Sequence, residues 1–227
     1  GVLIGLLAIK PHLALLFPLA LIASGRWRSF VAAALTVTFM VAASLMTFGW
    51  DTTAAFLAYL PRMRAIADNG WVPWGLMPSA YVFALSLGVP TWGAATLQAA
   101  VLCFAALCVW RAWRCPTAPF EARAAVLLSA SLMVSPYLFS YDLMWAGLAV
   151  IWLSRLAVRS GSPPWEGMIL LAAWIVPLLM APVHWLAHVQ IGFPALLLLL
   201  LVAARHANGT VGREPSVAAI SEAHVLE

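Results

Sequence analysis

Apolar runs at 2–23, 30–49, 93–110, 122–138, 143–158, 167–185 and 190–204 are separated by short polar or basic clusters. A helix needs about 20 predominantly apolar residues to cross a bilayer. Inside lipid, only helices and closed barrels satisfy their own backbone polar groups. Charged residues make up only 9% of the chain, against about 25% in soluble domains. The pattern therefore specifies an all-α polytopic membrane protein with about seven transmembrane helices.

The basic residues orient it. With Arg26 and Arg28 on the cytoplasmic side, seven crossings place Arg111, Arg114, Arg123, Arg155, Arg159, Arg205 and Arg213 there too. Arg62 and Arg64 fall outside, and Lys10 falls in the membrane. This is the asymmetry of the positive-inside rule, and it accounts for the net charge of +4 without nucleic acid as a partner. The apolar stretch 77–90 would spoil that bias as an eighth crossing, so it is expected to be interfacial or re-entrant on the outer face. In the outer loop 50–76, "FLAYLPRMRAIA" has the pattern of an amphipathic helix on the bilayer. Residues 1–205 are expected to form one membrane domain and residues 206–227 a disordered cytoplasmic tail. The chain opens inside an apolar segment with no basic flank or cleavage motif. It is expected to be the C-terminal part of a longer protein.

Three groups of residues carry chemistry. Lys10 interrupts the first apolar run, with Pro11 and His12 directly behind it. Proline restricts the residue before it and removes an N–H, and charge inside a membrane segment marks function by default. An anion-binding break and a proline kink with a snorkelling lysine are the two readings. "SPYLFSYD", 135–142, places Tyr137, Tyr141 and Asp142 at an outer break. Asp142 is either a partner of Lys10 or an outer arginine, a substrate contact, or the N-cap of the following helix. Arg62 and Arg64 suit phosphate or lipid headgroups. His184 and His188 stand four apart but lack a third metal ligand, so no metal is expected. Cys103, Cys108 and Cys115 match no metal or redox spacing.

"KPHLALLFPLALIASGRWRSF", the outer amphipathic loop and "SPYLFSYDLMWAGLAVIWL" together resemble the glycosyltransferase 87 family of bacterial membrane proteins. The resemblance implies a GT-C fold and a polyprenyl-phosphate-mannose-dependent mannosyltransferase of the bacterial inner membrane, with its active site facing outside. It implies inverting transfer of a hexose from a polyprenyl-phosphate donor to a lipid or glycan acceptor, without a cofactor. Lys10, His12, Arg62 and Arg64 would then hold the donor phosphate, and Tyr137, Tyr141 and Asp142 would bind substrate or support the site. The family's catalytic base is expected upstream of Gly1. A transporter or flippase of lipid-linked sugars and a noncatalytic membrane subunit are the competing readings. The orientation is tested with a cysteine at position 64 in a background lacking the three native cysteines. A membrane-impermeant maleimide should label it in intact cells, and labelling only after permeabilisation would invert the topology.

Overall fold

The computed structural model describes residues 1–208, and among these the regular structure is entirely helical. The helices are α1 (Val2–Leu6), α2 (Pro11–Ala14), α3 (Phe17–Ala23), α4 (Trp27–Asp68), α5 (Ala80–Ser86), α6 (Thr91–Arg114), α7 (Phe120–Leu132), α8 (Met144–Ser160), α9 (Pro164–Ala187) and α10 (Gly192–Ala207). Four stretches are long and apolar enough to cross a membrane: Trp27–Ile66, Thr91–Arg114, Ser140–Ser160 and Pro164–Ala187. Only 6% of the apolar stretch of α4 and 17% of that of α9 is buried within the protein. Leu35, Phe39, Leu171 and Leu178 therefore face outward, as side chains solvated by lipid do. The chain is an all-α polytopic membrane protein.

Polar contacts define two ends. At one end, called lower here, Arg159 meets Glu121, and Arg205 and His206 meet Glu166. Arg26 and Arg123 both lie over the Trp113 ring. At the upper end Asp68 meets Tyr81 and Tyr137, and Ser79 Oγ donates to the Pro136 carbonyl at 2.6 Å. Between the ends, α7 sits innermost, packed on α6, α8 and α10. Its buried face is mostly small (Ala122, Ala125, Ser129, Ala130), which lets the neighbouring backbones approach closely.

Residues 2–23 differ from the expected single crossing. Gly1 lies against Ser29 and Ala32, and Gly5 against Ala33 and Thr36, so α1 runs parallel to the start of α4. A Cβ on either glycine would come within 2.5 Å of α4, and this Gly-x-x-x-Gly spacing permits the contact. The chain then turns at Lys10 (φ −123°, ψ 77°), between a 3-10 turn at Leu7–Ile9 and α2. It returns through α2 and α3 to the Ser24–Arg26 turn at the lower end. The segment is a helical hairpin with Lys10 at its tip. Gly1 thus lies toward the lower end and Lys10 above it.

Two further expectations change. The run 30–49 continues as helix to Asp68, broken at Gly49, whose φ of 78° and ψ of 169° redirect the axis; residues 50–68 form an upper arm. Of the tail expected from residue 206, His206 and Ala207 belong to α10. Residues 209–227 of that tail lie outside the described residues. The stretch 77–90 contains α5, whose seven residues are too few to span a membrane.

Gln98 joins three elements at the upper end. Its Nε2 donates to the Met133 and Val134 carbonyls at 2.8 and 3.2 Å, and its Oε1 accepts from Tyr81 N–H at 3.1 Å. It thereby satisfies orphan groups at the end of α7 and the start of α5. Gln98→Leu should destabilise the protein by about 1–3 kcal/mol, measured as thermal unfolding in detergent. Thr96→Ala, on the exposed side of α6, should have little effect.

Candidate functional site

The hairpin tip meets the break between α7 and α8. Lys10 Nζ lies 2.7 Å from Asp142 Oδ1, and His12 Nε2 lies 3.4 Å from Oδ2. Asp142 is 3% exposed, whereas the Lys10 side chain is 49% exposed. A carboxylate buried this deeply needs a paired charge. Lys10 supplies it with one of three ammonium N–H groups, leaving two directed elsewhere. Lys10 Nζ also stands 4.6 Å from the centre of the Tyr141 ring, in cation–π range. Tyr141 in turn stacks on Phe139 with ring centres 5.6 Å apart and planes 2° from parallel. The N-cap reading of Asp142 is not what the structure has: Leu143 occupies the N-cap of α8 and makes no side-chain cap bond.

A second carboxylate organises the neighbouring surface. Asp68, in the last turn of the upper arm, accepts hydrogen bonds at Oδ1 from Tyr81 at 2.9 Å and Tyr137 at 3.2 Å. Its Oδ2 lies 3.4 Å from Arg64 Nε. The two tyrosine rings pack edge to face with centres 5.8 Å apart. Burial first, and then the nearby Asp68 carboxylate, raise both phenols above the ordinary tyrosine range. Both phenols are outside the membrane-spanning helices, and as neutral O–H groups they remain donors to Asp68.

Between the upper arm and these loops lies a cavity of about 620 Å³, walled by Leu57, Leu60, Val72, Met77 and Phe139. Its polar wall is made by Arg64 and Tyr137. Phe139 thus belongs both to this cavity and to the aromatic stack that carries Lys10. Arg62 is elsewhere: it lines a separate hollow of about 150 Å³ with Trp71 and lies over the Tyr59 ring at 5.9 Å. Two residues apart on a helix point to different sides.

The structure therefore brings Lys10, His12, Tyr141 and Asp142 into one cluster, and Arg64 and Tyr137 into the next, with Phe139 joining them. Tyr81 and Phe139 were missed by sequence reasoning. Arg64 and Asp68 do stand four apart on one helix face, a legible signal, but nothing local points to Tyr81. The raised phenols set a pH dependence. The stabilisation from the Tyr–Asp68 hydrogen bonds is fully present below the ordinary tyrosine value of about 10, and is lost as pH climbs through the raised values of the folded protein. In an alkaline titration followed by phenolate absorbance, Tyr137→Phe and Tyr81→Phe should each remove a late-titrating component. Loss of an ordinary component instead would contradict the network.

A family model described as glycosyltransferase family 87 matches residues 1–136, which include Lys10, His12, Arg64 and Asp68 and end just before Tyr137. No curated protein and no solved structure matches the chain. Because the match spans more than half of the 227 residues, this chain belongs to glycosyltransferase family 87, whose members are membrane glycosyltransferases that take a sugar donor and a glycan or lipid acceptor.

Proposed function

We propose that the chain serves hexose transfer, with mannose as the hexose, from a polyprenyl-phosphate donor to an acceptor on the extracytoplasmic side of the bacterial inner membrane. The GT-C fold is part of the same reading. The observation that carries it is the apolar cavity under the upper arm, with Arg64 on its wall and the Lys10 cluster joined to it through Phe139 and Tyr141. An isoprenoid chain has no hydrogen-bonding groups and suits the Leu57, Leu60 and Met77 walls. Its phosphate needs cations at the polar edge, and a guanidinium fork matches phosphate oxygens. Arg64, Lys10 and His12 fill that role here; Arg62 faces a different hollow and drops out of the donor site. The upper end is read as outside because the lower end gathers Arg26, Arg111, Arg123, Arg159 and Arg205.

In the proposed step, an acceptor hydroxyl oxygen attacks the anomeric carbon from the face opposite the phosphate. The bond from that carbon to the phosphate oxygen breaks, and its electron pair leaves on the polyprenyl phosphate. The configuration inverts, and the hydroxyl proton passes to a general base. Lys10 and Arg64 stabilise the charge that grows on the leaving phosphate, the kind of preorganised electrostatics that often dominates catalysis. Neither Asp68 nor Asp142 is assigned as the base. Tyr137 and Asp142 act as positioning residues, for Asp68 and Lys10 respectively.

The reading is tested by hexose transfer from a polyprenyl-phosphate donor in membranes carrying the full-length protein. Lys10→Ala should lower the rate by about 10²–10³-fold with membrane insertion preserved. Arg64→Gln should lower it by roughly tenfold, the scale of one weakened charge-assisted contact. Unchanged transfer in Lys10→Ala would remove the donor-phosphate role.

A further inference from the structure

A second hollow opens on the other side of Asp68. It encloses about 500 Å³ and is lined by Asp68, Asn69, Trp74, His184, Trp185 and His188, at the upper ends of α4 and α9. We propose that it binds a saccharide, the sugar end of the acceptor. This rests on the transferase reading above and makes it more specific, because it asks for an acceptor whose reactive part is a sugar ring.

The lining chooses the ligand class. A pyranose offers a patch of C–H bonds on its face and paired hydroxyls on its rim. Indoles pack against the first; carboxylate, amide and imidazole groups exchange hydrogen bonds with the second. Both kinds of group line this hollow. There is no lysine or arginine among the described residues that line it, so it is ill suited to a phosphate, in contrast to the Arg64 cavity. Nor do three His, Cys, Asp or Glu side chains gather to hold a metal among the described residues. Its volume lies within the roughly 300–1,000 Å³ typical of small-molecule sites.

Two details show that the polar groups are placed rather than merely exposed. The His184 ring is held from the protein side, with Nδ1 buried and a backbone contact to Val189. The imidazole fits only because residue 75 is glycine: a Cβ there would stand 2.7 Å from His184 Cβ. Asp68 Oδ1 is occupied by the two phenols, while among the described residues Oδ2 has only the 3.4 Å contact to Arg64 and retains capacity for a hydroxyl. Arg64 and Asp68 are one helical turn apart, so this hollow and the donor cavity adjoin the same turn of the upper arm.

The experiment is saturation-transfer NMR on the full-length protein in nanodiscs, with methyl hexopyranosides and hexose disaccharides as probes. Hexose transfer from a polyprenyl-phosphate donor is measured in parallel. Saturable transfer to the saccharides is expected. Trp185→Ala, at an exposed position, should weaken it by roughly tenfold, and Gly75→Ala should weaken it by displacing His184. In the transfer assay Trp185→Ala should raise the acceptor KM and leave the donor KM unchanged. Absence of saturable binding, or equal binding in Trp185→Ala, overturns the site. If sugar transfer persists while saccharide binding is absent, this inference fails and the transferase reading stands. Saccharide binding that depends on Trp185, in a protein that transfers no sugar, keeps the site and removes the transferase reading.

Discussion

A carboxylate buried between α7 and α8 dictates how the first part of the chain is arranged. Asp142 is almost wholly removed from solvent, and a lone ionised carboxylate there would be costly. Its partners come from a segment 130 and 132 positions away in sequence. They reach it because residues 2–23 form a hairpin and not a straight span. The proline behind Lys10 makes the turn, the Gly1 and Gly5 pair seats the rising limb on α4, and α3 returns along α4 and α6. Charge neutralisation and backbone turning are thus one feature: the residue that leaves the helix is also the residue that pairs the acid.

Around that pair the upper end divides its surface by polarity. Among the described residues, the cavity under the arm is apolar with one guanidinium and one phenol, while the hollow beside α9 is aromatic and polar with no lysine or arginine. Asp68 stands between them, held by two neutral phenols and Arg64. The proposed transfer gives this division a chemical sense, because a lipid-linked donor and a hydrophilic acceptor pose opposite solvation demands. A transferase has to satisfy both within reach of one bond. The lower end carries ion pairs of another character: Glu166 is buried and satisfied by Arg205 and His206. That cluster ties α9 to α10.

Fold class was legible because it depends on run length and charge content, and neither requires knowledge of the packing. The arginine distribution likewise set the two ends. What misled was treating residues 2–23 as one span: hydropathy cannot tell a crossing from two shorter limbs joined at a break. The break itself was visible in Lys10-Pro11, but its direction depended on glycine contacts with α4 that no local pattern reveals. The extension of α4 past Gly49 was hidden for a related reason, since the glycine bends the axis while helix continues on both sides. In the site, Lys10, His12 and Asp142 stood out as polar groups in apolar surroundings. Arg62 and Arg64 looked equivalent in sequence and parted only because a two-residue step rotates a side chain to another face. Tyr81 and Phe139 looked like ordinary aromatic residues, and their role comes entirely from what they touch.

The central claim is that the cavity under the upper arm holds the lipid of the donor. It is tested most directly by photo-crosslinking with a polyprenyl phosphate that carries a diazirine on the isoprene unit next to the phosphate. The full-length protein is irradiated in membranes and the adducts are mapped by mass spectrometry. The account predicts adducts on Leu57, Leu60, Val72, Met77 and Phe139, competed away by unlabelled polyprenyl phosphate. Adducts confined to the lipid-facing side chains of α9, such as Leu171 and Leu178, with none in the cavity would contradict it.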